Sequence, residues 1–119
     1  MARRAAKTRM DLVVAQNDVM AMGARKAFSE IAESDRARWM KIPVTGCDGM
    51  PKTGQAWVRN GSLAATIYIR PNTDLAIEML VEAFKSGSML PDRKVTAPES
   101  IPSLAELAAA GKMARSAKV

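Results

Sequence analysis

The chain is 119 residues long, 48% hydrophobic and 25% charged, with a net charge of +6. That length and balance suit one folded domain with a single core and exclude a disordered chain. With one cysteine and no histidine, the sequence offers no internal disulfide, no Cys/His zinc site and no imidazole for acid–base catalysis.

Residues 1–10 form a basic segment, carrying Arg3, Arg4, Lys7 and Arg9 with no acid before position 11. Residues 11–16 read as a strand. Leu12 to Ala15 is a continuous apolar run, the pattern of a strand covered on both faces. Asn17 and Asp18 supply N-cap chemistry for a helix over about 19–33, with Met20, Ala24, Ala27, Phe28 and Ile31 as its apolar stripe. Gly23 inside that helix suggests close packing on a sheet. Residues 34–39 read as a polar connection. A short second strand follows over 42–46, then a Cys-Asp-Gly turn over 47–49. Pro51 suits the first turn of a helix that runs to about Asn60 and stops at Gly61. Residues 62–69 alternate as a third strand, broken by Pro71. Thr73 or Asp74 caps a third helix with Ala76, Met79, Leu80, Ala83 and Phe84 on its stripe, and Gly87 ends it. Residues 89–102 contain Pro91, Pro98 and Pro102 and read as an extended arm. Ser103 with Glu106 makes a capping box that starts a last helix.

The order β-α-β-α-β-α with short connections predicts an α/β fold with parallel strands and right-handed crossovers. The expected architecture is a three-layer lobe over 11–102, followed by a C-terminal helix and tail over 103–119. Lys112, Arg115 and Lys118 make the tail basic, leaving −1 for residues 10–111. The positive charge therefore lies on the two ends. With five aromatic residues in all, the body is not the basic, stacking surface that nucleic acid requires. No stretch reaches the ~20 apolar residues of a membrane span. No apolar run after the basic N-terminal residues has the length of a secretory signal, so the chain as written is expected in the cytoplasm. Cys47 has no base to activate it and reads as a small apolar residue. No nucleophile–base pair or metal cluster is evident, and neither an enzyme nor a cofactor is expected.

In an open parallel sheet, ligands bind beyond the carboxyl ends of the strands. The three strands deliver Asn17 and Asp18, then Asp48, then Arg70 with Asn72 and Thr73 to that edge. Carboxylates and amides in such a cluster suit hydroxyl groups, which donate to the first and both donate to and accept from the second. The same residues also serve as helix caps and turns, which on composition alone are their commoner roles.

At these positions the chain resembles a known family. VAQNDVMAMGA at 14–24, GCDG at 46–49, NGSLAATI at 60–67, PNT at 71–73 and PESIP at 98–102 resemble, in order and spacing, motifs of the C-terminal lobe of sugar-type (type I) periplasmic substrate-binding proteins. The resemblance spans about residues 11–102. It implies a lobe of a two-lobed α/β protein that clamps a sugar, or a related polyol or sugar acid, and presents it to an ABC-transporter permease in the periplasm. It further implies that Asn17 and Asp48 are sugar-hydroxyl ligands. The family's third ligand, usually glutamine, falls where this chain has Ile69 and Arg70. Arg70 would suit a carboxylate or phosphate on the ligand instead. Nothing in the sequence matches the family's N-terminal lobe or the first units of this one, so the chain is expected to be an incomplete fragment.

Two other functions share this fold. One is the effector-binding domain of a sugar-responsive transcription regulator, for which residues 1–10 are too short to hold a helix-turn-helix. The other is a structural remnant that binds nothing. Missing strands would leave a sheet edge open, so self-association through that edge is expected.

Overall fold

The computed structural model describes residues 9–116, with side chains described through residue 111. The basic clusters expected in residues 1–8 and in the tail from 112 onward lie outside the described side chains.

Chain order is β1 (Val13–Val14), α1 (Asp18–Ser29), α2 (Glu33–Met40), β2 (Val44–Asp48), α3 (Gly54–Arg59), β3 (Ala65–Tyr68), α4 (Asn72–Ser86), β4 (Glu99–Ile101) and α5 (Leu104–Ser116). The four strands make one mixed sheet in the order β1-β2-β3-β4. β1 to β3 are parallel, and β4 joins β3 antiparallel. The expected α/β class and parallel strands are therefore present. The extended arm differs from expectation, because three of its residues close the sheet as an antiparallel edge strand between Pro98 and Pro102. Prolines cannot donate to a ladder, which confines this strand to the edge.

The sheet has an inner and an outer face. Val44, Gly46 and Thr66 alternate inward and are all buried. They meet α1 and α3, where Ala21, Val44 and Leu63 form the core, with Val13, Phe28 and Trp57 packed around it. On the outer face Thr45, Cys47 and Ala65 are only half-buried, while Val14 is 75% and Ile67 45% exposed. The expected third layer is not formed. Strand order follows chain order without reversal, and successive right-handed crossovers in one direction put their helices on one face. The apolar run at 12–15 thus does not mark a strand covered on both sides.

Two helices differ from expectation in detail. Residues 33–40 form α2 instead of a polar connection, with Trp39 buried and stacked on Phe28 at 5.2 Å between ring centroids. In α1 the inward positions are Asp18, Ala21, Met22, Ala24, Arg25 and Phe28; Ala24 and Phe28 of the expected stripe are half-buried, and Met20 and Ala27 are exposed. The stripe is displaced because two polar side chains face inward with specific partners. Arg25 donates from Nε to the Ser62 carbonyl (2.7 Å) and from Nη1 to the Met40 carbonyl (2.8 Å), tying α1 to the end of α2 and the approach to β3. Gly23 faces open space and gives no close helix–sheet contact.

In the C-terminal half α4 begins at Asn72 after Pro71 with no side-chain cap from Thr73 or Asp74, while its end and the start of α5 follow their local signals. Gly87 ends α4 with a left-handed φ of 67°. At α5, Ser103 Oγ and the Ser103 amide donate to Glu106 Oε2 (2.6 and 2.8 Å), and the Glu106 amide donates back to Ser103 Oγ (3.3 Å). This is the predicted capping box.

Candidate functional site at the carboxyl edge of the sheet

Strand register brings the three predicted residues to one edge. Val14 pairs with Thr45, so Asn17 and Asp48, each three residues further on, are level. Asp48 pairs with Tyr68, and Arg70 follows two residues later. All three therefore lie at or just beyond the carboxyl ends of adjacent parallel strands.

Their surroundings differ. Asn17 is the N-cap of α1, and its Oδ1 accepts from the Met20 amide at 2.8 Å. Its amide NH2 is left to donate elsewhere. Arg70 is exposed and reaches Glu78 of α4 at 3.3 and 3.4 Å. Both partners are solvent-facing, so this long pair is weak and exchangeable. Asp48 is exposed, and its carboxylate makes no hydrogen bond or ion pair among the described residues. It also holds a φ of 100°, the one non-glycine residue so placed among those described. Such a backbone costs on the order of 1–3 kcal/mol and persists only where its neighbours enforce it.

Beside this turn lies Asp18, which the sequence places at this edge both as a helix cap and as a member of the hydroxyl-binding cluster. Asp18 is 2% exposed. Its Oδ1 accepts from the Thr66 hydroxyl at 2.6 Å, and its Oδ2 accepts from the Gly49 amide at 2.8 Å. One carboxylate thus ties the start of α1 to β3 and to the turn after β2. Gly46 and Gly54 leave the space it occupies, and Gly49 leaves room for the Tyr68 backbone. A Cβ on Gly46 would lie 2.9 Å from the Asp18 Cα, one on Gly54 2.7 Å from the Asp18 Cγ, and one on Gly49 2.8 Å from the Tyr68 amide nitrogen. Gly49 also has a φ of 62°, which suits glycine alone among common residues. Glycines 46, 49 and 54, two of them flanking the Asp48 turn and all close to an Asn-Asp pair in space, were the available signal.

The edge is an open half-site. Ligand pockets bury most of their ligand between walls, whereas Asp48 and Arg70 are exposed here. Strand order never reverses between the parallel strands, so the crevice that a reversal creates in doubly wound sheets is not formed. A cavity of about 550 Å³ opens at the opposite, amino edge, lined by Arg9, Asp11, Arg38, Trp39 and Lys41. Beside it the indole N–H of Trp39 is buried without a hydrogen-bond partner. Among the described residues, no group of Cys, Asp or Glu side chains is placed to hold a metal ion, and no helix is long and apolar enough to cross a membrane.

A scan against protein-family models matches none of them, and no curated protein matches the chain.

Proposed function

We propose that this chain is one lobe of a two-lobed, non-enzymatic binder of a sugar-like ligand, of the kind that serves ABC transporters. In this reading the lobe offers Asn17, Asp48 and Arg70 to the ligand and depends on a second lobe for the opposing wall. The observation that carries it is Asp48. An exposed carboxylate, unpartnered among the described residues and set at a costly φ beside a turn amide that a buried carboxylate binds, is poorly explained by stability. It is well explained by a need to present two acceptor oxygens to paired hydroxyls. The resemblance of the motifs at 14–24 and 46–49 supports Asn17 and Asp48. Arg70 adds a cation that a sugar acid would engage better than its weak partner Glu78 does.

The test separates presentation from structure. Asp48→Gly removes the strain and the carboxylate together. It is expected to raise stability by about 1 kcal/mol and to abolish the weak, millimolar binding of pentoses, hexoses or uronic acids that calorimetry is expected to detect on the unsubstituted chain. A destabilised Asp48→Gly variant would assign Asp48 to the fold instead, and micromolar binding by the single chain would contradict the need for a second lobe.

A second reading, an interaction module that keeps the fold without binding a sugar, is favoured by Asn17 and Arg70 already having partners within the chain.

A further inference from the structure

Two apolar surfaces of this molecule are left without partners among the described residues. The first is the outer face of the sheet. Val14 and Ile67 project from its strands, and Leu12 and Ile69 flank them on the same face, all between 45% and 75% exposed. Between them the small side chains of Thr45, Cys47 and Ala65 leave a hollow of about 210 Å³. The second is α4. Leu75, Met79 and Ala83 form one half-buried side of this helix. Ile77, Leu80, Val81 and Phe84 form the other side, and all four are exposed, Phe84 at 86%. No residue of α4 is buried. A helix that is apolar on two sides is a helix meant to lie between layers. Here it has at most one.

We infer that a second copy of this chain supplies the missing layer: in a two-fold dimer, the exposed side of α4 from each protomer packs on the outer sheet face of its partner, with Phe84 seated in the hollow over Thr45, Cys47 and Ala65. The exchange is isologous, since each copy gives a helix and receives one. It covers both surfaces at once, which a helix-to-helix or sheet-to-sheet pairing does not. The eight large side chains named as exposed present roughly 800 Å² per chain, so the reciprocal contact removes about 1,600 Å² in all, the size of a standard stable interface. This inference does not rest on the ligand reading. It also differs from the edge pairing expected from the sequence, because it uses the face of the sheet and leaves β1 and β4 free at their outer edges.

Sedimentation equilibrium of the full chain tests it. The unsubstituted chain is expected at twice its 12.8 kDa mass at ~100 μM. Phe84→Lys and Ile67→Asp are each expected to weaken self-association by at least fiftyfold, as both residues are exposed in the single chain, Phe84 at 86% and Ile67 at 45%. An equimolar mixture of the two variants is then expected to recover a heterodimer. In that pair one of the two contacts is unsubstituted, and the other opposes a cation to an anion. A monomer at ~100 μM would overturn the inference and assign these surfaces to another occupant. A dimer broken by Phe84→Lys but indifferent to Ile67→Asp would overturn it in favour of helix pairing. A dimer indifferent to both would overturn it in favour of edge pairing. Should either variant unfold, Phe84→Cys under oxidation decides. An intermolecular disulfide between position 84 and Cys47 supports the exchange, and cross-links only between like positions overturn it.

Discussion

Replacing Asp18 with alanine removes the acceptor on which three elements converge. The carboxylate is 2% exposed and Thr66 1%, so water does not readily replace it. The Gly49 amide is fixed in a turn and loses its acceptor outright. The Thr66 hydroxyl rotates and recovers part of its loss. A buried donor left unsatisfied costs about 1–3 kcal/mol. Taking the upper part of that range for Gly49 and the lower part for Thr66, and allowing for the relief of burying the carboxylate, the net cost is about 3 kcal/mol. A domain of this size has ~5–15 kcal/mol in total, and the small set of fully buried apolar residues here argues for the lower end. With a urea m-value of ~2 kcal/mol/M, the unfolding midpoint falls by about 1.5 M. Asp18→Asn keeps one acceptor oxygen and is expected to lose roughly half as much. Urea denaturation followed by circular dichroism measures all three proteins. A midpoint for Asp18→Ala within ~0.3 M of the unsubstituted chain would refute the view that this carboxylate organises the edge.

The glycines give a paired test. Gly23→Ala places a methyl in open space on a helix and is expected to stabilise by roughly 0.5–1 kcal/mol, whereas Gly46→Ala drives a Cβ against Asp18 and is expected to destabilise by at least ~2 kcal/mol; thermal melts that rank them the other way would contradict the packing described. At the start of α5, hydrogen bonds from the Ser103 side chain and then its backbone hold the Glu106 carboxyl below the usual glutamate range. A carboxyl depressed on folding stabilises the helix start above its unfolded pKa and loses that contribution as pH falls through the folded one. Carbon-detected NMR titration is expected to show Glu106 moving part of the way back in Ser103→Ala, and an unchanged titration would count against the capping box.

The parts of the fold that were legible in the sequence rest on local chemistry. The alternation of β1, α1, β2, α3, β3 and α4, the Asn17 cap, the stop at Gly87 and the Ser103–Glu106 box each follow from signals local in the sequence. What was hidden depends on partners distant in sequence. α2 carries Glu33, Asp35, Arg36 and Arg38, and its place in the fold depends on one ring, Trp39 against Phe28, so periodicity has nothing to detect. The stripe of α1 was misplaced because Asp18 and Arg25 occupy inward positions where periodicity expects apolar residues. β4 is three residues long, too short to alternate, and exists because the β3 edge was free. At the candidate site, the order of strands put Asn17, Asp48 and Arg70 on one edge in advance. The buried carboxylate was not foreseen, because charged residues are almost never fully buried unless paired or hydrogen-bonded. The missing outer layer escaped notice for a different reason: an apolar run reports a preference for burial and not whether a cover is present.

Amide shift mapping of the isotopically labelled chain against neutral sugars and uronic acids tests the central claim most directly. The account predicts fast-exchange shifts with a Kd of about 1 mM or weaker, equivalent to ~−4 kcal/mol. They should be confined to residues near Asn17, Asp48–Gly49 and Arg70, with Arg70 responding to the acids alone. Shifts clustered instead at Trp39 and Lys41 on the amino edge, or none at the carboxyl edge at ~50 mM ligand, well above that Kd, would contradict it.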